Sequence, residues 1–177
     1  RLDASAPGSQ EIRRAIRDMN AVIERCQQTA QFGDRQLQAQ LSSVDLVSVV
    51  HDAVSSCRQP DQVQLSVPAQ LRIQTDRQLL FIALSNLLEN ACKYAEPDTL
   101  VQVTLRRQAE AESGAAGWRL DIANEPGAAG WPDAGQVFEK YYRSPYARRQ
   151  AGTGLGLYLV RSIVQALGGT VRYAPDA

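Results

Sequence analysis

Three polar side chains in one stretch have the types and the spacing to bind a metal ion and a phosphate. Asn86, Asn90 and Lys93 stand at positions i, i+4 and i+7, so a helix would carry them along one stripe. A carboxamide oxygen is a neutral, hard ligand suited to Mg²⁺, and an ammonium one turn further on can meet a phosphate oxygen. Taken alone, the stripe favours a solvated helix face over a site.

A second stretch, far downstream, changes that balance. Residues 152–157 alternate glycine with small or apolar residues and lead into an apolar run, which predicts a loop passing into a helix. Backbone N–H groups of such a loop can approach an anion closely, and the helix N-terminus adds partial positive charge. A glycine-rich turn by itself is a weak indication of an anion-binding site. The indication becomes strong when the turn is paired with the asparagine stripe and with residues 137–143 between them.

Hydrophobic periodicity predicts the helices that must position these residues. Apolar residues recur at spacings of three and four in residues 44–57, 76–95 and 155–167. Ser43 or Asp45 is a suitable N-cap for the first helix and Asp76 for the second. Gly168 and Gly169 close the third.

Alternating apolar residues predict short strands around the helices. They fall near residues 37–41, 63–67, 71–73, 100–106, 118–122 and 170–173. We expect the second and third, on either side of Pro68, to form a hairpin-like arrangement. We expect the fourth and fifth to pair, with Val101, Val103, Leu105, Trp118, Leu120 and Ile122 facing inward. These patterns together predict helices that cover one face of a mixed sheet. This architecture is an α+β sandwich.

Three of these segments together resemble a known family. The asparagine helix, residues 137–143 and the glycine stretch resemble the N box, F box and second glycine box of the ATP-binding domain of sensor histidine kinases. The resemblance covers the chain from about residue 12 to residue 173. It implies the Bergerat fold, shared with gyrase, Hsp90 and MutL, in which nucleotide lies between the sheet-covering helices and a mobile lid.

The resemblance implies ATP and Mg²⁺ as cofactors and gives roles to particular residues. Asn90 would hold the metal, Lys93 would meet phosphate and Tyr94 would border the adenine. Asn86 stands where ATP-hydrolysing relatives carry a glutamate base; because a carboxamide cannot take a proton from water at neutral pH, a phosphoryl donor is favoured over an efficient ATPase. Glu89 could assist a nucleophile or could equally be a surface residue.

The basic, irregular residues 143–151 are interpreted as the lid, in which Arg148 and Arg149 would neutralise phosphate charge. The predicted catalytic residues are Asn86, Glu89 and Lys93, and the predicted metal ligand is Asn90. The predicted nucleotide-binding residues are Asn90, Lys93, Tyr94, Asn124, Gly127, Tyr142, Arg143, Arg148, Arg149, Gly152, Thr153, Gly154, Leu155, Gly156 and Leu157.

The family's first glycine box, normally Asp-x-Gly-x-Gly, is degraded in this chain. Asn124 is the most natural occupant of the aspartate's place, since its amide oxygen can accept a hydrogen bond from the adenine amino group. Alignment on Pro126 and Gly127 puts Ala123 there instead. An amide in place of the carboxylate loses the charge-assisted component of the hydrogen bond to adenine. This loss weakens nucleotide binding by about 1 kcal/mol rather than abolishing it.

Composition narrows the classes of function. Lys+Arg and Asp+Glu balance at 19 each, so no strong basic field indicates nucleic acid or an anionic membrane. No apolar run approaches the roughly 20 residues of a membrane-spanning helix, and no signal peptide is visible. Cys26, Cys57 and Cys92 are widely spaced in helical patterns, which favours reduced core thiols in a cytosolic setting over a disulfide framework or a metal site.

The beginning of the chain predicts a separate helix. Residues 12–30 carry a heptad seam, which resembles the second helix of the dimerisation and histidine-phosphotransfer hairpin, with the acceptor histidine expected upstream. The predicted domains are 1–33 for half of that hairpin, 34–43 for a linker and 44–177 for the ATP-binding domain. The implied partners are a second protomer, its dimerisation domain and a response-regulator receiver domain, without nucleic acid. The implied location is the cytoplasmic side of an inner-membrane sensor.

The function predicted on this basis is transfer of the ATP γ-phosphoryl group to a histidine, for relay to a response regulator. His51, the single histidine, stands among valines without the motif of an acceptor; we expect it to be a partly buried helix residue and the chain not to phosphorylate itself. One alternative is an anti-sigma serine kinase, against which the heptad helix counts. Another is a degenerate nucleotide-binding or partner-binding module, or a phosphatase-biased sensor, which the altered glycine box motivates.

Overall fold

The computed structural model describes residues 38–108, 117–149 and 152–175, with only the backbone at Arg148 and Arg149. The predicted N-terminal helix lies outside the described residues, so the boundaries proposed for the domains stay predictions. Strand β1 begins at Ser42, inside the segment expected to be a linker and just after the predicted strand at residues 37–41.

The described residues contain five strands and three α-helices. They are β1 Ser42–Asp45, α1 Leu46–Ser56, β2 Val63–Ser66, β3 Arg72–Thr75, α2 Arg77–Tyr94, β4 Val101–Gln108, β5 Gly117–Ala123 and α3 Gly156–Ala166. Two short 3-10 helices, Pro60–Gln62 and Pro145–Arg149, lie in the connections. The three predicted helices are therefore confirmed to within two residues at each end.

The strands form two sheets. In the larger sheet, β2 runs parallel to β4, and β4 runs antiparallel to β5, so the predicted mixed sheet and the β4–β5 pair are confirmed. The smaller sheet pairs β1 with β3 in antiparallel orientation. The predicted hairpin of β2 with β3 is wrong, because the backbone N–H of Leu46 donates to the Leu71 carbonyl over 2.8 Å and β3 lies beside β1 instead.

One further strand prediction is wrong. Residues 170–174 have no regular structure, because a strand needs a neighbouring strand and no other part of the described chain forms a ladder with them.

Aspartates begin the first two helices, as their positions predict. The Asp45 carboxylate accepts a hydrogen bond from the Val47 N–H over 3.2 Å. At the start of α2, one Asp76 oxygen accepts from the N–H groups of Gln78 and Leu79 over 2.9 and 3.1 Å, which satisfies donors that a helix terminus leaves unpaired.

The other Asp76 oxygen accepts from the Gln40 N–H over 2.9 Å, which ties the segment before β1 to α2. Burial acts to raise the pKa of Asp76, but the hydrogen bonds from Leu79, Gln40 and Gln78 outweigh it and lower the pKa below its ordinary value. The ionised carboxylate is therefore the form that stabilises the fold.

The main core lies between α1, α2 and the inner face of the larger sheet. Its buried members are Val44, Leu46, Val47, Val49, Val50, Ala53, Val54, Leu71, Leu84, Leu88, Val103 and Leu105. His51 is exposed rather than partly buried as expected, because α1 buries the face around Val50 and Ala53 and the next residue along a helix turns away from that face.

The sheet buries the alternate residues that the pattern predicts, with one exception. Val101, Val103 and Leu105 are buried, and Leu120 and Ile122 pack against the core. Trp118 was expected to face inward but is 43% exposed; it pairs with the exposed Arg107 near the open end of the ladder.

Helix α2 contacts a helix on each side, because it packs against α1 and also against α3. Helix α3 contributes Leu159, Val160 and Ile163, all buried. The first turn of α3 is thereby held beside the asparagine stripe of α2. A membrane-crossing helix, judged by length and apolarity, does not occur in the described residues.

Candidate functional site

The glycine stretch lies directly against the asparagine stripe. A Cβ atom built on Gly156 would lie 3.0 Å from Asn86 Oδ1 and 3.6 Å from Asn90 Nδ2. A Cβ atom on Gly152 would lie 3.0 Å from Lys93 Nζ. Two segments that are 60 residues apart in sequence are thus in contact, and all three polar residues of the stripe meet the loop.

Asn86 presents an unpaired oxygen at this contact. The side chain is buried, and its Nδ2 donates to the Ile82 carbonyl one turn earlier over 2.9 Å. That bond orients the amide, and Oδ1 is left buried without a hydrogen-bond partner among the described residues. Because a buried acceptor without a partner costs free energy, Asn86 Oδ1 is suited to accept a bond from a bound group.

The carboxamides at this contact fit a hard cation. Oxygen donors are the ligands that Mg²⁺ prefers, with phosphate and water completing its shell, and the orphaned Asn86 oxygen beside Asn90 is a donor of that kind. The described residues hold no cluster of three His, Cys, Asp or Glu side chains that could form an all-protein metal cage. The Asn86 oxygen fits such an ion as one ligand, with water and substrate phosphates as further donors of the kind that Mg²⁺ accepts.

The end of α2 is fastened to the degraded glycine box. The N–H of Gly127 donates to the Tyr94 carbonyl over 2.9 Å, the N–H of Glu96 donates to the Glu125 carbonyl over 2.9 Å, and Ala95 forms an isolated β-bridge with Pro126. A side chain at position 127 would put its Cβ 2.8 Å from the Ala95 oxygen. Close backbone approach is the local reason for glycine at this predicted site residue.

Lys93 and Tyr94 lie together beside this junction. The Lys93 ammonium is 4.7 Å from the centroid of the Tyr94 ring, within the range of a cation–π contact. The ammonium that is predicted to contact phosphate and the ring that is predicted to border adenine therefore lie on the same last turn of α2. Glu89, one turn before Lys93, is half-buried.

The strand register distinguishes Ala123 from Asn124, the two residues considered as the equivalent of the aspartate in the first glycine box. Ala123 is exposed and pairs with Gln102 on the outer face, whereas Ile122 pairs with the buried Val103. Asn124 follows next and is half-buried. Its Nδ2 donates to the Glu125 carbonyl over 3.0 Å, which assigns the donor end of the amide and leaves Oδ1 as its acceptor end.

Gly154 locks the glycine stretch to the segment before it. Its φ is +70°, and a Cβ there would lie 2.7 Å from the Tyr141 carbonyl carbon and 2.8 Å from the Tyr142 oxygen. Tyr141 itself has φ +65° and donates its N–H to the Gly154 carbonyl over 3.0 Å. We call this contact the Gly154–Tyr141 clasp. Non-glycine residues seldom adopt such a φ, so the clasp stabilises an otherwise unfavourable backbone.

Residues 75–177 match the family described as histidine kinase-, DNA gyrase B- and HSP90-like ATPase. The chain belongs to this family. The predicted α+β fold and the resemblance drawn from the three boxes are thus confirmed, and the described contacts between α2 and the glycine stretch are features of an ATPase domain of this family.

Named relatives of this ATPase domain are bacterial sensor kinases. Sensor-like histidine kinase SenX3 of Mycobacterium tuberculosis (strain ATCC 25618 / H37Rv) is 33% identical over 140 residues, which is 75% of this chain and 32% of SenX3. The structure of the mycobacterial sensor histidine kinase MprB has a TM-score of 0.62 and 27% identity, covering 77% of this chain and 89% of that chain. Acinetobacter baumannii histidine kinase AdeS, at TM-score 0.66 and 18% identity over 95% of this chain and 77% of that chain, shows the fold alone.

These relatives identify a histidine kinase-type ATPase domain homologous to those of two-component sensor kinases. The chain spans roughly a fifth to a third of the length of the curated relatives it matches.

Other predicted nucleotide-binding residues are placed in the ATPase domain with local partners of their own. The Tyr142 hydroxyl accepts a bond from the Asp133 N–H over 2.9 Å, and Arg143 Nη2 donates to the Ala147 carbonyl over 2.9 Å. Thr153 Oγ1 accepts from the Leu155 N–H over 3.4 Å. Leu155 is buried, Leu157 is half-buried, and the side chains of Arg148 and Arg149 lie outside the described residues.

Sequence reasoning missed the partners that hold the site together. Asp133 and Tyr141 position the loop on one side, and Ile82 orients Asn86. A positive φ at a tyrosine has no signature in the sequence, so the clasp could not have been anticipated. The Ile82–Asn86 bond has the i to i+4 spacing of a helix turn and was open to prediction.

Proposed function

We propose that this chain is the ATP-binding catalytic domain of a two-component sensor histidine kinase, which transfers the ATP γ-phosphoryl group to a histidine for relay to a response regulator. The observation that carries the proposal is the contact of α2 with the glycine stretch, where Asn86 Oδ1 is buried without a described partner beside Gly156. A ligand that fills this contact would meet the Asn86 oxygen, the Asn90 carboxamide and the Lys93 ammonium together.

The phosphates and the adenine of ATP each have a counterpart among these residues. Lys93 lies beside Gly152, at the end of the contact where phosphate would need positive charge. Tyr94 lies against Lys93 and next to Gly127, which supports its assignment to the adenine border. The exposure of Ala123 and the acceptor orientation of Asn124 support Asn124 as the residue that bonds the adenine amino group.

Asn90, with Asn86 beside it, would hold Mg²⁺ in this proposal. The ion would supply charge neutralisation at the phosphates. The protein's own contribution is to position the nucleotide: the glycine stretch approaches without side chains, and Asn86 is fixed by its bond to Ile82. Neither asparagine can act as a base toward water, which supports phosphoryl donation over ATP hydrolysis.

His51 stands beside a residue that contacts the start of α2, the end of that helix farther from Asn90. Its neighbour Asp52 forms an ion pair with Arg77, at a distance of 2.5 Å. Arg77 begins α2, and Asn90 lies about 20 Å further along the helix axis. We therefore expect another segment or protomer to present the acceptor histidine, and we expect the described domain not to phosphorylate itself.

The proposed setting follows from the chemistry. ATP and receiver domains are cytoplasmic, so the domain would work on the cytoplasmic side of a sensor protein in the inner membrane. It would act on the dimerisation domain within a homodimer. The relatives named above are sensor histidine kinases, which leaves the anti-sigma serine kinase without support.

Calorimetric titration with a non-hydrolysable ATP analogue, with and without Mg²⁺, tests the proposal. We expect Mg²⁺-dependent binding that Asn90→Ala weakens by tenfold or more, about 1.4 kcal/mol. Gln78→Ala is the matched control, because Gln78 is an exposed carboxamide at the other end of the same helix and its removal should leave the affinity unchanged. An absence of binding at millimolar nucleotide would refute the proposal in favour of a partner-binding module.

A further inference from the structure

Strand β5, Gly117–Ala123, forms one edge of the larger sheet. It pairs with β4 over its whole length, in a register that runs without a break from Gly117 opposite Gln108 to Ala123 opposite Gln102. Among the residues that the structure describes, no strand lies on its other side. A regular strand edge of this kind is a template for pairing with a further strand.

The two edges of this sheet differ in how they resist such pairing. The other edge strand, β2, is only four residues long, Val63–Ser66, and lies between Pro60 and Pro68. Short strands and nearby prolines hinder the addition of a strand, as do lysines on the edge. Strand β5 is seven residues long and contains neither proline nor lysine, so it lacks these protections.

The side chains of β5 are also incompletely covered. Trp118 is 43% exposed, and Leu120 and Ile122 are half-buried on the same, inner face. Arg119 and Asp121 lie on the outer face, where they form an ion pair over 2.6 Å. The strand therefore has an apolar face and a face that carries one charge of each sign.

The order of these residues makes β5 complementary to a second copy of itself. Two antiparallel copies that place Leu120 opposite Leu120 also place Arg119 opposite Asp121 and Trp118 opposite Ile122, and each of these pairs then occurs twice. Opposite charges stabilise a ladder when they lie directly across from each other, and so does an aromatic residue across from a β-branched one. The side chains on both faces of β5 thus favour pairing with an identical strand.

The charges also select this register over its neighbours. Opposite residues of an antiparallel ladder share a face, so the register can shift only in steps that keep the apolar side chains together. The nearest such shifts place Arg119 opposite Arg119, or Asp121 opposite Asp121. Like charges directly opposite each other destabilise a ladder, so the arrangement centred on Leu120 is the one that both faces favour.

We propose that β5 is a self-association surface, through which a second copy of this chain continues the sheet. A two-fold axis passes by Leu120, and the same strand serves both partners, as in other two-fold interfaces. The three strands of each copy then join in one continuous sheet. One strand pair is a small interface, so the association is weak and depends on protein concentration. This surface goes beyond the proposed function, because pairing of β5 needs no nucleotide.

Hydrogen exchange of the full chain, followed by mass spectrometry, tests the surface directly. Samples at low and at high micromolar concentration are compared in the peptide that covers residues 117–123. Because only unassociated copies exchange at the edge, association of about nine-tenths of the chains should slow this exchange about tenfold. Peptides that cover β2 are the internal control and should exchange at the same rate in both samples.

Charge reversal identifies the partner strand and its register. Arg119→Glu places two acidic side chains opposite each other, and Asp121→Arg places two basic ones, so each variant alone should lose the concentration-dependent protection. An equimolar mixture of the two variants restores opposite charges at both positions, so the protection should return. Arg72→Glu is the matched control, because Arg72 is an exposed strand arginine in the smaller sheet, and this variant should be protected as the unaltered chain is.

Three results would overturn the proposal. One is an edge that exchanges equally fast at every concentration. Another is a protected edge that neither charge reversal changes, which would mean that a segment of the same chain covers β5. The third is loss of protection in each variant without recovery in their mixture, which would rule out the register centred on Leu120. Recovery in the mixture would exclude misfolding as the reason for the loss, because a misfolded chain could not protect its partner's edge.

Discussion

Replacing Gly154 with alanine should destabilise the domain far more than the same replacement at Gly168. The two glycines have nearly the same backbone conformation, with φ +70° and +76°. Their surroundings differ: a Cβ on Gly154 would lie 2.7 Å from the Tyr141 carbonyl carbon, whereas a Cβ on Gly168 would meet nothing within 4 Å. The pair therefore separates the cost of a left-handed backbone from the cost of a steric clash.

The expected magnitudes follow from these two terms. A left-handed backbone costs an L-residue about 1 to 2 kcal/mol, and this is the whole effect expected for Gly168→Ala. Gly154→Ala adds a clash with backbone atoms, which no side-chain rotation relieves, so we expect about 2 kcal/mol more. Against a total stability on the order of 10 kcal/mol, Gly154→Ala should remain folded but unfold much more easily.

Urea denaturation followed by far-UV circular dichroism measures the difference. With a slope of about 2 kcal/mol per molar urea, the unfolding midpoint of Gly154→Ala should lie about 1 M below that of Gly168→Ala. Gly130→Ala is a second control, since Gly130 has φ +60° and open space around it. Equal midpoints for all three variants would mean that the loop moves freely away from Tyr141, and the clasp would then hold nothing in place.

Three further predictions concern the nucleotide contact and the start of α2. Gly152→Ala should cost less than about 0.5 kcal/mol of stability in denaturation, because its Cβ meets only the mobile end of Lys93 at 3.0 Å, yet it should weaken nucleotide binding in the calorimeter; unchanged binding would contradict the role of Lys93. Asp76→Ala should lose about 1 kcal/mol of unfolding free energy. Because the pKa of Asp76 is lowered in the folded state, the stability that its ionised form provides is present above the ordinary value of 3.8 and is lost as the pH falls through the lower native pKa; acid titration of Asp76→Asn, which keeps the cap but cannot ionise, should show a shallower loss in that window. Asn124→Asp should strengthen ATP-analogue binding by about 1 kcal/mol through a charge-assisted bond, and Ala123→Asp should not; the reverse result would reassign the adenine contact.

The parts of the fold that could be predicted from sequence are those fixed by neighbours along the chain. Helix α2 and its Asp76 cap depend on residues within one or two turns of each other. The partner of β3 does not: alternation marks residues 72–75 as a strand, but the choice of β1 over β2 depends on the bond between Leu46 and Leu71 across the fold. Trp118 shows the same limit, since alternation assigns a face but not the extent to which helices cover it.

The same distinction between local and long-range interactions applies to the candidate site. Sequence spacing was enough to predict that Asn86, Asn90 and Lys93 share a stripe. That the stripe belongs to one site with the glycine stretch was implied by the family resemblance, not by spacing. Spacing could not predict which amide oxygen lacks a partner, because that depends on the Asn86 bond to Ile82 competing with every other acceptor nearby.

The glycines at 152, 154 and 156 share a spacing but not a physical reason, and the differences separate folding from ligand binding. Gly154 is required by its own backbone and by the Tyr141 backbone, so its substitution acts mainly on stability. Gly152 faces a flexible ammonium that can move aside, so its substitution acts mainly on binding. Gly156 is intermediate: its Cβ would lie 3.0 Å from an Asn86 oxygen that burial and the bond to Ile82 prevent from swinging away. An alanine at 156 would therefore strain the fold and cover the unpaired oxygen at once, because at this position the requirement for packing and the requirement for a ligand fall on the same atom.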